Sequence, residues 1–258
     1  MSASHQSPQA SLAALRSQLA AAQVQPPDRS AVSTALPALD QLLPDDGLPD
    51  AGIVEWVSDS PGIHGTSLAI QCAARFLKQP GAFAVLDSNH TFHPASLPWL
   101  GIPMARVLVV RPQIVADLSG QTGQQALRRD TLWSLEQLAR CAGIRVLLTW
   151  IDRISSTAQR RLQLAVERSG VAVFLMRPAT ALRQTSWASL RIRVQTTNRS
   201  SIRVRLIRSK NAITHDGYVE LGIDHETGHV FEVSKLPNST TSNNEWRPGH
   251  PLTKARRG

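Results

Sequence analysis

Residues 58–68 (SDSPGIHGTSL) stand where a phosphate-binding loop belongs. An apolar, β-rich run at 53–57 precedes them and a helical pattern at 66–77 follows. In that setting backbone N–H groups cradle phosphate, a lysine reaches the charged oxygens and a hydroxyl holds magnesium. The pattern G-x-x-x-x-G-K-[ST] puts its first glycine at Asp59, its second at His64, its lysine at Gly65 and its hydroxyl at Thr66. Only Thr66 matches. Each departure removes something physical. His64 brings a Cβ and a ring where glycine lets amides approach, and Gly65 forfeits charge-assisted bonds worth roughly 1.5–3 kcal/mol each. Thr66 is therefore read as a helix-start residue, and no nucleotide cofactor is expected.

A second group of residues is basic. Arg191 and Arg193 alternate with Ile192 and Val194, and Arg203 and Arg205 alternate with Ile202, Val204 and Leu206. Side chains alternate across a strand, so each pair shares a face. If the two strands pair, four guanidinium groups converge and repel unless an anion relieves them. The face suits a phosphate backbone or an acidic protein surface, or is a plain solvated exterior. Arg208 and Lys210 end the same strand. Trp246 and Arg247, followed by Pro248, form either a docking anchor for a partner groove or an incidental cluster. Other chemistry is thin. His90 and His93 lie near Asp87 without metal-specific spacing, so no metal is expected. Asp45-Asp46 reads as turn chemistry. No G-x-S-x-G, H-E-x-x-H or C-x-x-C motif occurs. Trp99 and Trp187 read as core or sheet cover.

The elements that position these residues follow from pattern. Short apolar runs at 53–57, 83–87, 106–110, 144–150 and 171–175 alternate with helical patterns at 66–78, 121–142 and 155–169. That alternation predicts a doubly wound, mostly parallel α/β sheet whose strands are buried on both faces. After Pro178, strands at 189–194, 202–208 and 218–223 predict a C-terminal antiparallel extension. Residues 1–30 form a helix at 11–22 and a Pro-containing linker, either a mobile tail or a docking segment. The domain spans 31–234, and the polar, basic stretch 235–258 reads as a disordered tail.

The chain has 258 residues, 42% of them hydrophobic, enough for a sizeable core. The 28 Lys and Arg outnumber the 19 Asp and Glu, a net charge of +9 that favours anionic partners. No apolar run spans a bilayer and no signal-peptide pattern opens the chain, so no membrane partner and a cytoplasmic location are expected. The two cysteines, Cys72 and Cys141, read as buried reduced thiols.

The order of motifs resembles the core of the RecA recombinase family over roughly residues 31–232. Ser33-Thr34-Ala35-Leu36-Pro37-Ala38-Leu39-Asp40, then Gly47-Leu48-Pro49 and Gly52-Ile53-Val54-Glu55, are similar to the segment before the RecA phosphate loop. Residues 83–90 (FAVLDSNH) look like the strand carrying the catalytic acid, and 203–211 (RVRLIRSKN) like the late strand ending in Lys-Asn-Lys. The resemblance implies a RecA-like fold. It places the water-activating acid at Asn89, the Walker B aspartate at Trp150 (Asp152 lying close by) and the glutamine that couples nucleotide to DNA at Arg177. Every one of these positions lacks the family's residue, so ATP hydrolysis is not expected. The two DNA-contacting loops are also shortened.

Within this group the chain resembles the ImuA proteins, accessory factors of translesion synthesis. The likeness rests on Gln159-Arg160-Arg161-Leu162-Gln163-Leu164-Ala165-Val166-Glu167, on Val54-Glu55-Trp56 and on Phe174-Leu175-Met176-Arg177-Pro178. It implies a non-catalytic adaptor in SOS-linked mutagenic repair, with RecA, an ImuB-like inactive Y-family subunit and a DnaE-type polymerase as partners; the basic hairpin and tail add DNA as a further candidate. The RecA resemblance puts Arg208 and Lys210 where the family's lysines reach the neighbouring subunit's ATP. The alternatives are an ATP-dependent recombinase and a SulA-like division inhibitor that binds FtsZ.

Overall fold

The computed structural model describes residues 30–59, 63–112, 120–210 and 217–233. The helix expected at 11–22, the tail at 235–258, Trp246 and Arg247 lie outside the described residues.

Nine strands form one sheet. In chain order they are β3 (Gly52–Ser58), β4 (Ala82–Leu86), β5 (Val107–Val110), β6 (Ile144–Trp150), β7 (Ala172–Pro178), β8 (Leu190–Asn198), β9 (Ser201–Ser209), β10 (Val219–Ile223) and β11 (Val230–Glu232). Their spatial order is β11-β10-β9-β8-β3-β7-β6-β4-β5. The six strands from β8 to β5 run parallel. The pairings from β8 through β11 are antiparallel. The expected architecture is therefore present, with strand ends moved by up to four residues. A small hairpin, β1 (Ala31–Val32) with β2 (Leu48–Pro49), flanks the short helix α1 (Pro37–Leu42).

Helices cover both faces because the parallel strands are apolar on both. On one face, α2 (Ile63–Phe76) packs Leu68 and Phe76 against Val54, Trp56 and Phe174. The Phe174 ring lies 5.6 Å from both Trp56 and Phe76, and full burial of each Phe contributes about 1.5–3 kcal/mol. On the other face, α3 (Gly120–Ala139) and α4 (Ser156–Ser169) cover Ile53, Leu147, Val173 and Leu175 with Leu135, Leu162 and Val166. The ends of α4 follow ordinary capping chemistry. Ser155 Oγ accepts from the Ala158 N–H at 3.2 Å, and Gly170, at φ 76°, closes the helix in the left-handed conformation.

Two burial expectations change. Cys72 is buried, and its thiol is pushed up beyond the titrating range by desolvation, but Cys141 is exposed. Trp99 is 73% exposed and Trp187 39%, so neither is core. Trp187 instead donates its indole N–H to Ser156 Oγ at 3.0 Å, with the Arg160 guanidinium 5.1 Å over its ring. Among the described residues no helix is long and apolar enough to cross a membrane.

Candidate functional site

The phosphate-loop position lies between β3 and α2. At its head stands Asp59, gripped from the neighbouring strand β8. Its carboxylate accepts from Arg193 Nε at 2.9 Å and Nη2 at 2.7 Å, and from Gln195 Nε2 at 2.8 Å. The Arg193 hydrogen bond holds the Asp59 carboxyl below its ordinary value, so it is anionic at neutral pH. A fixed negative charge thus occupies the place where a glycine would let phosphate approach. His64, in the first turn of α2, faces His225 with ring centroids 5.8 Å apart. Burial, and secondarily the His225 charge, hold His64 below the ordinary histidine value, so it supplies no cation there. A Cβ built on Gly65 would meet only Ser58 Oγ at 3.7 Å and Val194 Cβ at 3.8 Å, ordinary contacts. The backbone at 65 therefore tolerates a Cβ. Thr66 lies inside the first turn of α2, three residues after its start.

The other positions carried over by resemblance have structural roles. Asn89 is exposed in the turn after β4. Asp87, just before it, is buried and accepts from the N–H groups of Thr91 and Phe92 at 3.0 and 3.2 Å and from Arg111 Nε at 2.9 Å. Trp150 ends β6 with its ring 5.9 Å from Phe92. Asp152 is exposed, and its backbone carbonyl accepts from Arg177 at 3.2 Å.

Arg177 and Arg191 meet in the interior on Glu55. Arg177 Nη1 lies 2.8 Å from Glu55 Oε1, and Arg191 Nε lies 2.6 Å from Oε2. All three side chains are essentially inaccessible. Because Glu55 is on β3, Arg177 on β7 and Arg191 on β8, the triad stitches three adjacent parallel strands. Gln184 completes it, its Oε1 accepting from Arg177 at 2.7 Å and its carbonyl from Arg191 at 3.2 Å. This corrects Arg191, which is an internal residue and not a partner contact. Glu55 was the functional neighbour that motif reasoning missed; the available signal was a lone carboxylate inside the apolar run Ile53-Val54-Glu55-Trp56-Val57.

The basic strands pair as expected. Arg193 sits opposite Arg205, Gln195 opposite Arg203, and Arg191 opposite Arg208 beside a bulge. All four arginines share one face. Their repulsion is relieved within the chain: Arg191 by Glu55, Arg193 by Asp59, and Arg203 by Glu220 at 2.6 Å. Arg203 and Arg205 also flank the Tyr218 ring, at 4.4 and 5.3 Å from its centroid. Arg205 has no carboxylate partner among the described residues. Arg208 donates to the Ser186 carbonyl, and Lys210 Nζ lies 3.7 Å from Glu167. His90 approaches the Pro112 carbonyl at 3.4 Å, and no cluster of three metal-ligating side chains occurs among the described residues.

Asp59 and Asp87 both titrate below the ordinary 3.8, Asp87 through its backbone and Arg111 hydrogen bonds outweighing desolvation. A depressed folded-state value contributes stability that is present above 3.8 and lost as pH falls through the lower value. The urea midpoint of the wild type is expected to drop below pH 3.8, and that of Asp87→Asn to drop less. Parallel acid titrations of the two proteins, followed by circular dichroism, measure this.

No family model matches the chain. It is 36% identical over 101 residues to the RecA protein of Thioalkalivibrio sulfidiphilus (strain HL-EbGR7), a stretch covering 39% of this chain and 26% of that protein. The match thus spans about a quarter of the relative's length. Together with the parallel sheet, its helices on both faces and its antiparallel C-terminal strands, that similarity makes this a RecA-like α/β domain.

Proposed function

We propose that the chain is a non-catalytic RecA-like adaptor in SOS-linked translesion repair, binding RecA and an ImuB-type polymerase subunit. The observation that carries the reading is the head of the phosphate loop, where an ionised Asp59 clamped by Arg193 and Gln195 stands beside a lysine position held by Gly65. Chemistry there would need a cation aimed at phosphate, and the cation present is committed to a carboxylate. Asn89 points the same way, because an amide cannot take a proton from water as a carboxylate does. What such a domain keeps is surface: a RecA-shaped body whose late strand still ends in exposed basic residues, Arg208 and Lys210.

Capture of RecA and of an ImuB-type subunit by the immobilised chain tests the proposal. FtsZ capture without RecA would instead favour a division inhibitor, and ATP turnover a recombinase. If Arg208 and Lys210 meet the RecA filament, Arg208→Ala with Lys210→Ala weakens RecA binding on the order of 10-fold. Unchanged binding and unchanged filament ATP hydrolysis would remove those two residues from the interface.

A further inference from the structure

One face of β8–β11 is packed. Ile192, Val194, Ile202, Val204, Leu206 and Leu221 all enter the core under α2. Beyond the buried Arg191, the opposite face carries no helix among the described residues, since the core beneath α3 and α4 includes no residue of these four strands. Strand register sets out what it presents: Arg193 and Gln195 on β8, Arg203 and Arg205 on β9, Tyr218 and Glu220 on and just before β10, and Phe231 on β11.

The two rings on this face are held in an unusual way for surface aromatics. Phe231 pairs with Gly222, and a Cβ on Gly222 would come within 2.5 Å of two of its ring atoms. The ring therefore rests directly on the sheet backbone, a seat that only glycine allows, yet Phe231 stays 45% exposed. Tyr218 is 51% exposed and flanked by the Arg203 and Arg205 guanidiniums. Four residues along an extended chain separate Tyr218 from Gly222, roughly 13 Å at the usual strand rise. Arg203 and Arg205 lie beside Tyr218 on β9, Glu220 lies between Tyr218 and the Gly222 seat of Phe231, and Arg205 has no carboxylate partner among the described residues.

We propose that this open face is a platform for single-stranded nucleic acid, with bases stacked on Tyr218 and Phe231 and phosphates met by Arg203 and Arg205, Arg193 being held by Asp59. Flat rings seated on a sheet beside guanidinium groups suit unpaired bases, whose faces stack without regard to sequence. An acidic protein would use the cations and leave the rings idle; a duplex hides the base faces the rings need. Glu220 is the competing anion. A phosphate reaching Arg203 displaces it, so Glu220 sets a threshold for binding. The proposal is independent of the adaptor reading, since RecA capture can succeed or fail without it.

The test is fluorescence anisotropy of a labelled oligo(dT) of about 20 nucleotides with the full chain, alongside a duplex of equal length. Saturable binding that weakens with salt is expected. Tyr218→Leu and Phe231→Leu change no charge, and leucine keeps apolar cover over Gly222. Each is expected to weaken oligo(dT) binding by roughly 5- to 150-fold and duplex binding far less. Glu220→Gln is expected to tighten it. Should a leucine variant fail to fold by thermal melt, Arg205→Gln serves, with the salt slope falling by about 1. Absence of saturable binding overturns the proposal. So does wild-type affinity in both leucine variants, which would assign binding to basic residues elsewhere, such as Lys254, Arg256 and Arg257.

Discussion

Glu55→Ala is expected to cost about 3–5 kcal/mol of folding stability, the penalty for leaving buried charge without its partner. Two guanidiniums depend on that single carboxylate. Arg177 Nε and Arg191 Nη2 are already buried without a hydrogen-bond acceptor, so neither arginine has a second anion to turn to. In a domain of this size each kcal/mol moves the melting temperature by roughly 2–4 °C, giving a fall on the order of 10 °C. Glu55→Gln keeps the acceptor geometry without the charge and is expected to fall between. Replacing all three residues by apolar ones of similar volume, as in Glu55→Leu with Arg177→Met and Arg191→Met, is expected to recover most of the loss, because no charge then remains to be compensated. A Glu55→Ala protein melting within about 2 °C of wild type would mean that water or loop carbonyls solvate the arginines after all.

The second large effect concerns nucleotide. Titration of Mg-ATP into the wild-type chain is expected to give no saturable heat. Gly65→Lys alone is expected to change little: a Cβ fits at 65, but Asp59 still holds Arg193 and Gln195 at the head of the loop. Adding Asp59→Gly removes the carboxylate and releases Arg193 and Gln195. The double variant is expected to gain measurable ATP binding, since each charge-assisted contact restored is worth roughly 1.5–3 kcal/mol, or about 10- to 150-fold in affinity. Micromolar binding with turnover by the wild type would defeat the non-catalytic reading outright. Absence of any gain in the double variant would put the cause of the loss in some other part of the loop.

How far the residues announce this structure depends on the range of the signal. The sheet strands were readable because strands buried on both faces form continuous apolar runs, and the alternation of Arg with Val, Ile and Leu correctly placed Arg193, Arg203 and Arg205 on one face. The two-residue strands β1 and β2 carry no period and went unread. The ion pairs were beyond reach for a different reason. Glu55 meets arginines 122 and 136 positions away, and Asp59 meets Arg193 across 134. No local pattern encodes such pairings; they exist only once β3 lies between β7 and β8. For the same reason the arginines looked like outward-facing residues in search of an anion, when the chain itself supplies three. Trp99 and Trp187 misled in the opposite sense, since large apolar side chains suggest burial while their neighbours in space leave them exposed.

The stitched strands β7–β3–β8 have a consequence for control. Under the adaptor reading, the position that the RecA resemblance gives to a nucleotide-sensing glutamine is held by Arg177, fastened at Glu55, Gln184 and the Asp152 carbonyl. A part tied down at three points does not keep time. On that reading the glutamine's position carries no moving part to time the release of a partner.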